Sequence, residues 1–351
     1  MPAPDSDCWG LLRFRVLTQR PHRALRCPPM PITVVGSIAY DTVKTPFGER
    51  ERMLGGAAVH FALAASFFDD VRVVGPVGED FGDPQMAVMR RRGVDVSDIE
   101  RVAGGKTFFW HGEYGWDLNS RDTLDTQLGV FEGFEPKLSE SSRSSDVLFL
   151  ANIQPDLQRG VREQMPDARF VALDSMNLWI DIARDSLVAA IEEVDCLILN
   201  DAELRQLTGK PSLISAAREV LSWKPSEPSS PNIKGPSVVV AKQGEYGAAL
   251  VTRESFFALP AYPLEAVIDP TGAGDTFAGG LVGYIAAHPK DPIDDALLRR
   301  AMAYATVLAS FNVEEFGTER VVRLTGAEIV ERTKELHKIT EFSGAPLALR
   351  G

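Results

Sequence analysis

The sequence contains few cysteines, no long apolar run and no excess of positive charge. Its 3 cysteines are scattered and form no Cys-x-x-Cys pair, which argues against a disulfide framework or a structural zinc site and favours a reducing, cytoplasmic location. No apolar segment reaches the roughly 20 residues that a membrane-spanning helix needs. The longest candidate, "AAVHFALAASFF", is interrupted by His60 and is followed by Asp69. With 37 basic against 49 acidic residues, the formal net charge of -12 opposes nonspecific binding to nucleic acid or to an anionic membrane.

The chain is long and apolar enough to bury a full core. Its 351 residues are 44% hydrophobic and 25% charged, which is typical of a globular chain. Residues 1–29 show no strong periodicity, and Asp5 and Asp7 argue against a secretory signal. Because Met30 opens "MPITVVGSIAYD", which begins like a folded domain, we interpret residues 1–29 as a disordered extension or a start codon assigned too early. Residues 31–340 are then the folded domain.

Short apolar runs alternate with helical stretches along this domain. "ITVVGSIAYD", "VLFLANI", "VDCLILND" and "SVVVAKQG" have the Val/Ile/Leu content of strands that are buried on both faces. This alternation predicts a three-layer α/β/α fold with a central, mostly parallel sheet. Two segments, residues 42–54 and 104–131, break the alternation, and the second alternates aromatic and polar residues. We interpret both as a small β-strand lid over a site at the strand ends.

The stretch "DPTGAGDTFAGG" puts glycines and acids where a helix begins. A helix N-terminus carries unpaired backbone N–H groups and partial positive charge, and glycines let its backbone approach a phosphate closely. Gly272, Ala273 and Gly274 can therefore form an anion hole. Asp275 follows within the same turn, where a carboxylate could accept a proton from an attacking hydroxyl group, although it could also only cap the helix. The combination favours phosphoryl transfer, and no Gly-Lys-Ser/Thr follows that would make it a P-loop.

The same stretch resembles the C-terminal signature of the ribokinase-like (PfkB) carbohydrate kinases. Four other segments are similar to motifs of that family in order and spacing: "GSIAYD", "GGAAVHFALA", "NDAELRQLTG" and "KQGEYG". The resemblance covers residues 31–323. It implies a cytoplasmic kinase that transfers the γ-phosphoryl group of ATP to a hydroxyl group of a sugar or sugar-like substrate.

The resemblance also implies roles for single residues. Asp275 would be the general base, and the amides of Gly272 to Gly274 would hold the transferring phosphoryl group. Asn200 and Glu203 would organise Mg²⁺ and the phosphates, mostly through water, although the same pair is also a capping box.

The remaining implied positions bind the two substrates and a cation. Lys242, Gly244 and Gly247 would line the ATP phosphates and ribose. Asp41, Gly55 and Gly56 would hold hydroxyl groups of the acceptor, and the lid would exclude water. Asp269 and Thr271 match positions that help bind a monovalent cation in many members, so activation by K⁺ is a hypothesis.

Two positions depart from the pattern of ribokinases. His60 stands where those enzymes typically have an asparagine that contacts the sugar, and it could equally be a core-facing histidine of the helix. Gln154 stands where they place a glutamate that recognises sugar hydroxyl groups. Both residues are candidates for substrate binding. These departures put ribose itself in doubt and leave the phosphoryl-transfer machinery intact.

Three questions stay open at the level of sequence. A nucleoside is the main alternative acceptor, and a binding-only regulator is the alternative function class. The lid could mediate a homodimer, as is common in the family, or the protein could be a monomer. Aromatic residues of the lid could stack on a sugar or base or pack among themselves, and polar residues beside them are read as solvated surface. The aromatic residues are Phe108, Phe109, Trp110, Tyr114 and Trp116, and the polar ones are Asp117, Asn119 and Arg121.

Overall fold

A computed structural model of the chain describes residues 31–226 and 228–341. The N-terminal segment that the sequence set apart, residues 1–29, lies outside the described residues. Within the described part, no helix is both long enough and apolar enough to cross a membrane.

The described residues form strands and helices that alternate over most of the chain. The strands are β1 (Ile32–Val35), β2 (Ala39–Thr45), β3 (Gly48–Gly55), β4 (Val71–Gly78), β5 (Ile99–Val102), β6 (Phe108–Tyr114), β7 (Arg121–Gln127), β8 (Val147–Leu150), β9 (Phe170–Asp174), β10 (Cys196–Asn200), β11 (Val238–Lys242), β12 (Ala248–Thr252) and β13 (Phe256–Leu259). The helices are α1 (Ala57–Ala65), α2 (Asp83–Arg91), α3 (Glu140–Arg143), α4 (Pro155–Gln164), α5 (Asn177–Ile182), α6 (Arg184–Ile191), α7 (Asp201–Thr208), α8 (Leu213–Ser222), α9 (Ala273–Ala286), α10 (Asp295–Asn312), α11 (Glu319–Arg323) and α12 (Gly326–Thr340).

The larger sheet has the order β13-β12-β11-β10-β9-β8-β1-β4-β5. Its strands pair in parallel, except that β12 pairs antiparallel with both β11 and β13. Parallel strands place their carboxyl ends along one edge, so residues that end β9, β10 and β11 lie side by side there. The predicted mostly parallel sheet is confirmed.

Helices cover both faces of this sheet because its strands are apolar on both sides. Phe149 of β8 faces one core and stacks on Phe61 of α1, with ring centroids 4.1 Å apart. Its neighbour Leu148 faces the other core, which includes residues of α4, α6, α7 and α8. Adjacent residues of a strand point to opposite faces, and both faces are buried here. The layers are helix, sheet and helix, as predicted.

The four-stranded sheet has the order β3-β2-β6-β7. Its strands overlap the two segments that the sequence interpreted as a lid. One strand boundary differs from the prediction made from sequence, which placed Asp41 at the end of the first core strand. Strand β1 ends at Val35, and Asp41 belongs to β2 of the small sheet. The strand is interrupted between β1 and β2. The amide of Gly36 still donates to the carbonyl oxygen of Val74 in β4, but the carbonyl oxygen of Ser37 accepts from the amide of Ala58 in α1.

Asp80 fixes the small sheet to the large one. Its Oδ1 accepts hydrogen bonds from the amide and the hydroxyl group of Thr107, each at 2.8 Å, just before β6 begins. Its Oδ2 lies 3.1 Å from the guanidinium of Arg52 in β3. Its carbonyl oxygen accepts from the hydroxyl group of Tyr40 in β2. Asp80, just after β4, therefore holds β2, β3 and the residue that precedes β6.

Candidate active site

The glycine turn before α9 is built on a backbone conformation that glycine tolerates best. Gly272 is the N-cap residue, with φ 72° and ψ 2°, in the left-handed region. A β-carbon there would also lie 2.3 Å from Nδ1 of His60. Helix α9 begins at Ala273, which confirms the predicted helix start within the signature.

The amides of this turn are not equivalent. The N–H group of Ala273 donates to the carbonyl oxygen of Pro270 at 3.2 Å. For the amides of Gly272 and Gly274, no protein acceptor is found among the described residues. These two N–H groups are available to receive an anion at the helix N-terminus.

Asp275 lies in the first turn of α9, partly exposed to solvent. Desolvation and the nearby charge of Asp174 together raise the pKa of its carboxyl group to about 7, and the charge of Lys242 opposes them. A carboxyl group whose pKa lies near neutral pH is about half ionised at pH 7, and its ionised form is a stronger base than that of an ordinary carboxylate. The position and the pKa both suit a general base.

Lys242 and Asp174 form an ion pair beside the glycine turn. Lys242 ends β11, Asp174 ends β9, and the lysine Nζ lies 2.7 Å from Oδ2 of the aspartate. A β-carbon on Gly274 would lie 2.9 Å from the same Nζ, so the ammonium group borders the anion hole. Burial alone lowers the pKa of Lys242, but the carboxylates of Asp174 and Glu203 outweigh it and hold the pKa above its usual value. The lysine is therefore a cation at the anion hole.

Asn200 and Glu203 form a capping box at the start of α7. Oδ1 of Asn200 accepts from the amide of Glu203 at 2.7 Å, and Oε2 of Glu203 accepts from the amide of Asn200 at 2.9 Å. Burial raises the pKa of Glu203, and Lys242 lowers it. The capping box that the sequence allowed is thus present, and Asn200 is the direct neighbour of Lys242 in the sheet.

The glycines of the "KQGEYG" segment allow a tight turn after β11. Gly244 has φ 56° and begins a short 3₁₀ turn, and Gly247 has φ 101°. A β-carbon on Gly247 would lie 2.0 Å from the carbonyl oxygen of Leu259. The side chain of Asn119, from the turn between β6 and β7, reaches this segment and donates to Oε1 of Glu245 at 3.2 Å. The tip of the small sheet therefore touches the predicted nucleotide segment.

Asp41 and the two glycines of the predicted acceptor pocket come together. A β-carbon on Gly55 would lie 1.9 Å from Oδ2 of Asp41, and Gly56 adopts φ 97° where a β-carbon would meet the carbonyl oxygen of Ser37. Burial and the charge of Asp269 together raise the pKa of Asp41 to about 7. The missing side chain of Gly55 leaves the space that this carboxyl group occupies, and the missing side chain of Gly56 lets the backbone pass close to residues 37–39.

His60 lies beneath the glycine turn and is 2% exposed. Its Nδ1 is 3.2 Å from Oδ1 of Asn312, which also accepts from the hydroxyl group of Thr276. Nδ2 of Asn312 donates to the carbonyl oxygen of Thr271 at 2.8 Å. Burial lowers the pKa of His60 to about 4, so the ring is neutral at pH 7. This is the core-facing alternative, and it makes the histidine a support for the turn.

Gln154 caps α4. Its Oε1 accepts from the amide of Leu157 at 3.0 Å, and its Nε2 donates to Asp156 at 2.8 Å. Both ends of the amide are therefore occupied locally. Gln154 follows β8, at the edge of the sheet where the carboxyl ends of the parallel strands lie, as predicted.

Asp269 is fully buried and ties together two loops. Oδ1 accepts from the amide of Thr271 and Oδ2 from the amide of Gly317, each at 2.9 Å. The hydroxyl group of Thr271 donates to that of Tyr114 in β6 at 3.2 Å. The described residues contain no group of three or more His, Cys, Asp or Glu side chains that could hold a metal ion. The K⁺ site at Asp269 and Thr271 stays a hypothesis.

The prediction from sequence did not include Asp174 or Asn312 in the site, and it assigned Arg121 to the solvated surface. Asp174 could have been suspected, because "VALD" ends a buried strand in a polar side chain, just as the "LILN" strand ends in Asn200. Asn312 lies at the far end of α10 and gives no local signal. Of the lid aromatics, Tyr114 is buried at the site, whereas Trp116 is 91% exposed.

Known proteins resemble this chain over most of its length. A family model described as pfkB family carbohydrate kinase matches residues 31–323. Cytidine kinase of Thermococcus kodakarensis is 29% identical over 278 residues, covering 77% of this chain and 94% of that kinase. Fructokinase-1 of Oryza sativa subsp. japonica is 23% identical over 290 residues, covering 75% of this chain and 83% of that protein. The solved structure of a Methanocaldococcus jannaschii nucleoside kinase, an archaeal member of the ribokinase family, has the same fold, with a TM-score of 0.69 at 18% identity over 87% of this chain and 98% of that one.

Proposed function

The chain belongs to the pfkB family of carbohydrate kinases, which are ATP-dependent phosphotransferases with hydroxyl acceptors, and on that premise we propose how it acts. It transfers the γ-phosphoryl group of ATP to a hydroxyl group of a sugar or a nucleoside. The observation that carries this proposal is the convergence of Asp275, Lys242 and the glycine turn at one helix N-terminus. A regulator that only binds its ligand would have no use for a base with a pKa of about 7 beside an anion hole.

Asp275 accepts the proton of the acceptor hydroxyl group as its oxygen attacks the γ-phosphorus. The bond between the γ-phosphorus and the bridging oxygen breaks, and ADP leaves with the electron pair. The amides of Gly272 and Gly274 and the ammonium group of Lys242 stabilise the negative charge on the transferring group. Support comes from the free N–H groups and from the position of Nζ next to Gly274.

The capping box and the glycine segment would hold the nucleotide. Gly244 and Gly247 leave the turn after β11 open for phosphates and ribose. Mg²⁺ would be held by the ATP phosphates and, through water, by Glu203 and Asn200, in keeping with its reluctance to lose water. When bound, the ion neutralises phosphate charge. The capping box supports this role because its hydrogen bonds fix both side chains at the strand edge.

The acceptor would bind between Asp41 and the lid. Asp41 would accept hydrogen bonds from hydroxyl groups of the sugar ring, which a free sugar and a nucleoside share. A nucleoside is the second candidate because the cytidine kinase relative is matched at 29% identity over 94% of its length, compared with 23% over 83% for the fructokinase. A nucleoside needs space for its base, whereas a free sugar does not.

The acceptor is identified by its product. The protein would be incubated with Mg²⁺ and ATP and, in separate reactions, fructose, ribose, cytidine, uridine, adenosine and inosine, and the products read by ³¹P nuclear magnetic resonance. A phosphomonoester formed from nucleosides alone identifies a nucleoside kinase, and one formed from free sugars alone identifies a sugar kinase. If ATP binds and none of the acceptors is phosphorylated, the proposal is wrong for these two classes.

A further inference from the structure

Arg121 lies on the face of the small sheet that covers the site. It begins β7 and is paired directly with Tyr114 of β6. Residues paired in this way point to the same face of a sheet. Tyr114 is buried against the site, where its hydroxyl group accepts from Thr271 of the signature. The pairing therefore directs Arg121 toward the site as well.

Contacts of the guanidinium agree with this direction. It lies over the ring of Trp110, 5.3 Å from the centroid. Trp110 is paired with Asp41 across β2 and β6, so this ring marks the same side of the sheet as the acceptor carboxylate. The charge of Arg121 lowers the pKa values of Asp41, Glu203 and Asp275, three carboxyl groups from three different elements. The arginine therefore faces the middle of the cleft.

The guanidinium is available for a further anion. Within the described residues, no carboxylate lies within salt-bridge distance of Arg121, although several surround it, and the side chain is exposed. Lys242, the other cation whose charge acts on Asp275, is already paired with Asp174 at 2.7 Å. A γ-phosphoryl group brings more negative charge into a cleft that already holds acidic side chains. An arginine that is held by aromatic neighbours and has no ion-pair partner among the described residues is the group that could compensate it.

We infer that Arg121 is a catalytic residue that the small sheet delivers to the γ-phosphoryl group of ATP, where its N–H groups donate to nonbridging oxygens during transfer. This role rests on the proposed kinase activity. In the step, the acceptor proton moves to Asp275, the acceptor oxygen bonds to phosphorus, and the bridging oxygen leaves with ADP. Arg121 makes and breaks no covalent bond and stabilises the charge of the transferring group.

The inference predicts which nucleotide needs the arginine. ADP lacks the γ-phosphoryl group, so its affinity should not depend on Arg121. A nonhydrolysable ATP analogue carries that group and should bind less tightly to Arg121→Ala. Because a hydrogen bond to a charged group contributes about 1.5–3 kcal/mol, we expect a loss of roughly 10- to 150-fold. Arg121→Lys keeps the positive charge without the planar guanidinium group, so its affinity for the analogue should lie between those of the wild type and Arg121→Ala.

The experiment compares dissociation constants for ADP and for β,γ-imido-ATP, each with Mg²⁺, by isothermal titration calorimetry without an acceptor. The proteins are the wild type, Arg121→Ala, Arg121→Lys and Lys44→Ala. Lys44 is a suitable control because it is an exposed cation of β2 that pairs with Glu113 of the same sheet. Loss of affinity for the imido analogue alone, in the two arginine variants and not in the control, supports the inference. An unchanged ratio of the two constants in Arg121→Ala overturns it.

Turnover distinguishes the other outcomes. With the acceptor found from product analysis, kcat of Arg121→Ala should fall by roughly 100-fold, with partial recovery in Arg121→Lys. A rise in the KM for the acceptor with kcat unchanged would overturn the inference, because Arg121 would then bind the acceptor and not the transferring group. A wild-type protein that binds neither nucleotide would contradict the proposed function itself.

Discussion

Replacing Asp275 by asparagine tests the chemistry and the electrostatics of the site together. The substitution keeps the shape of the side chain and removes its ability to accept a proton. We expect turnover to fall by roughly two orders of magnitude or more, as is typical when a positioned base is lost. Affinity for ATP should remain, because the free amides of the glycine turn and the ammonium group of Lys242 are unchanged.

The raised pKa makes two further results measurable. Because the pKa of Asp275 is about 7, kcat/KM of the wild type should be about tenfold lower at pH 6 than on its plateau above pH 8. The unfolded carboxyl group ionises near 3.8, so the folded state binds more protons between pH 3.8 and about 7, and stability falls as pH rises through that window. Removal of the charge should therefore raise the melting temperature of Asp275→Asn at pH 8.

The assay combines initial rates of ADP release with differential scanning fluorimetry between pH 5.5 and 8.5. Asp83→Asn is the matched control, because Asp83 also lies in the first turn of a helix, on the surface and outside the site. The control should keep wild-type activity, pH profile and melting temperature. Near-normal turnover of Asp275→Asn, or a melting temperature that falls at pH 8, would refute the reasoning.

Three other perturbations have defined outcomes. Gly272→Ala should lower the free energy of unfolding more than Gly93→Ala, because both glycines have positive φ but only the first would press a β-carbon on His60; urea unfolding compares the two, and equal losses would contradict the contact. Asn119→Ala should raise the KM for ATP by a few-fold, because it removes the hydrogen bond that ties the small sheet to Glu245 of the predicted nucleotide segment, and the melting temperature should change little because that bond is exposed. Steady-state kinetics measure the KM, and an unchanged value would count against the contact. Replacement of KCl by NaCl at equal ionic strength should lower kcat if the signature binds K⁺, and equal rates in the two salts would remove that hypothesis.

Local sequence carried enough information for the fold and for the centre of the site. The alternation of apolar runs and helical stretches predicts the covered parallel sheet because burial on both faces demands it. Glycines followed by an acid predict the start of α9 because the left-handed turn at Gly272 and the free amides after it need those residues. The capping box of Asn200 and Glu203 was equally visible, since it lies within one helical turn.

Residues whose role depends on distant partners could not be assigned from local patterns. Asp174 acquires its role by pairing with Lys242, 68 positions away in sequence. Asn312 joins His60 to the glycine turn across 252 positions, so only the fold reveals that His60 supports the turn. Arg121 looked like solvated surface because nothing in the sequence states which face of β7 covers the cleft.

Acceptor-dependent release of ADP is the most direct test of the central claim. It would be measured with Mg²⁺ and ATP over a panel of pentoses, hexoses, sugar phosphates, inositols and nucleosides, for the wild type and for Asp275→Asn. The account predicts release with one acceptor class in the wild type and its loss in the variant. Equal release by both proteins, or bound ATP with no acceptor-dependent release from any member of the panel, would contradict it.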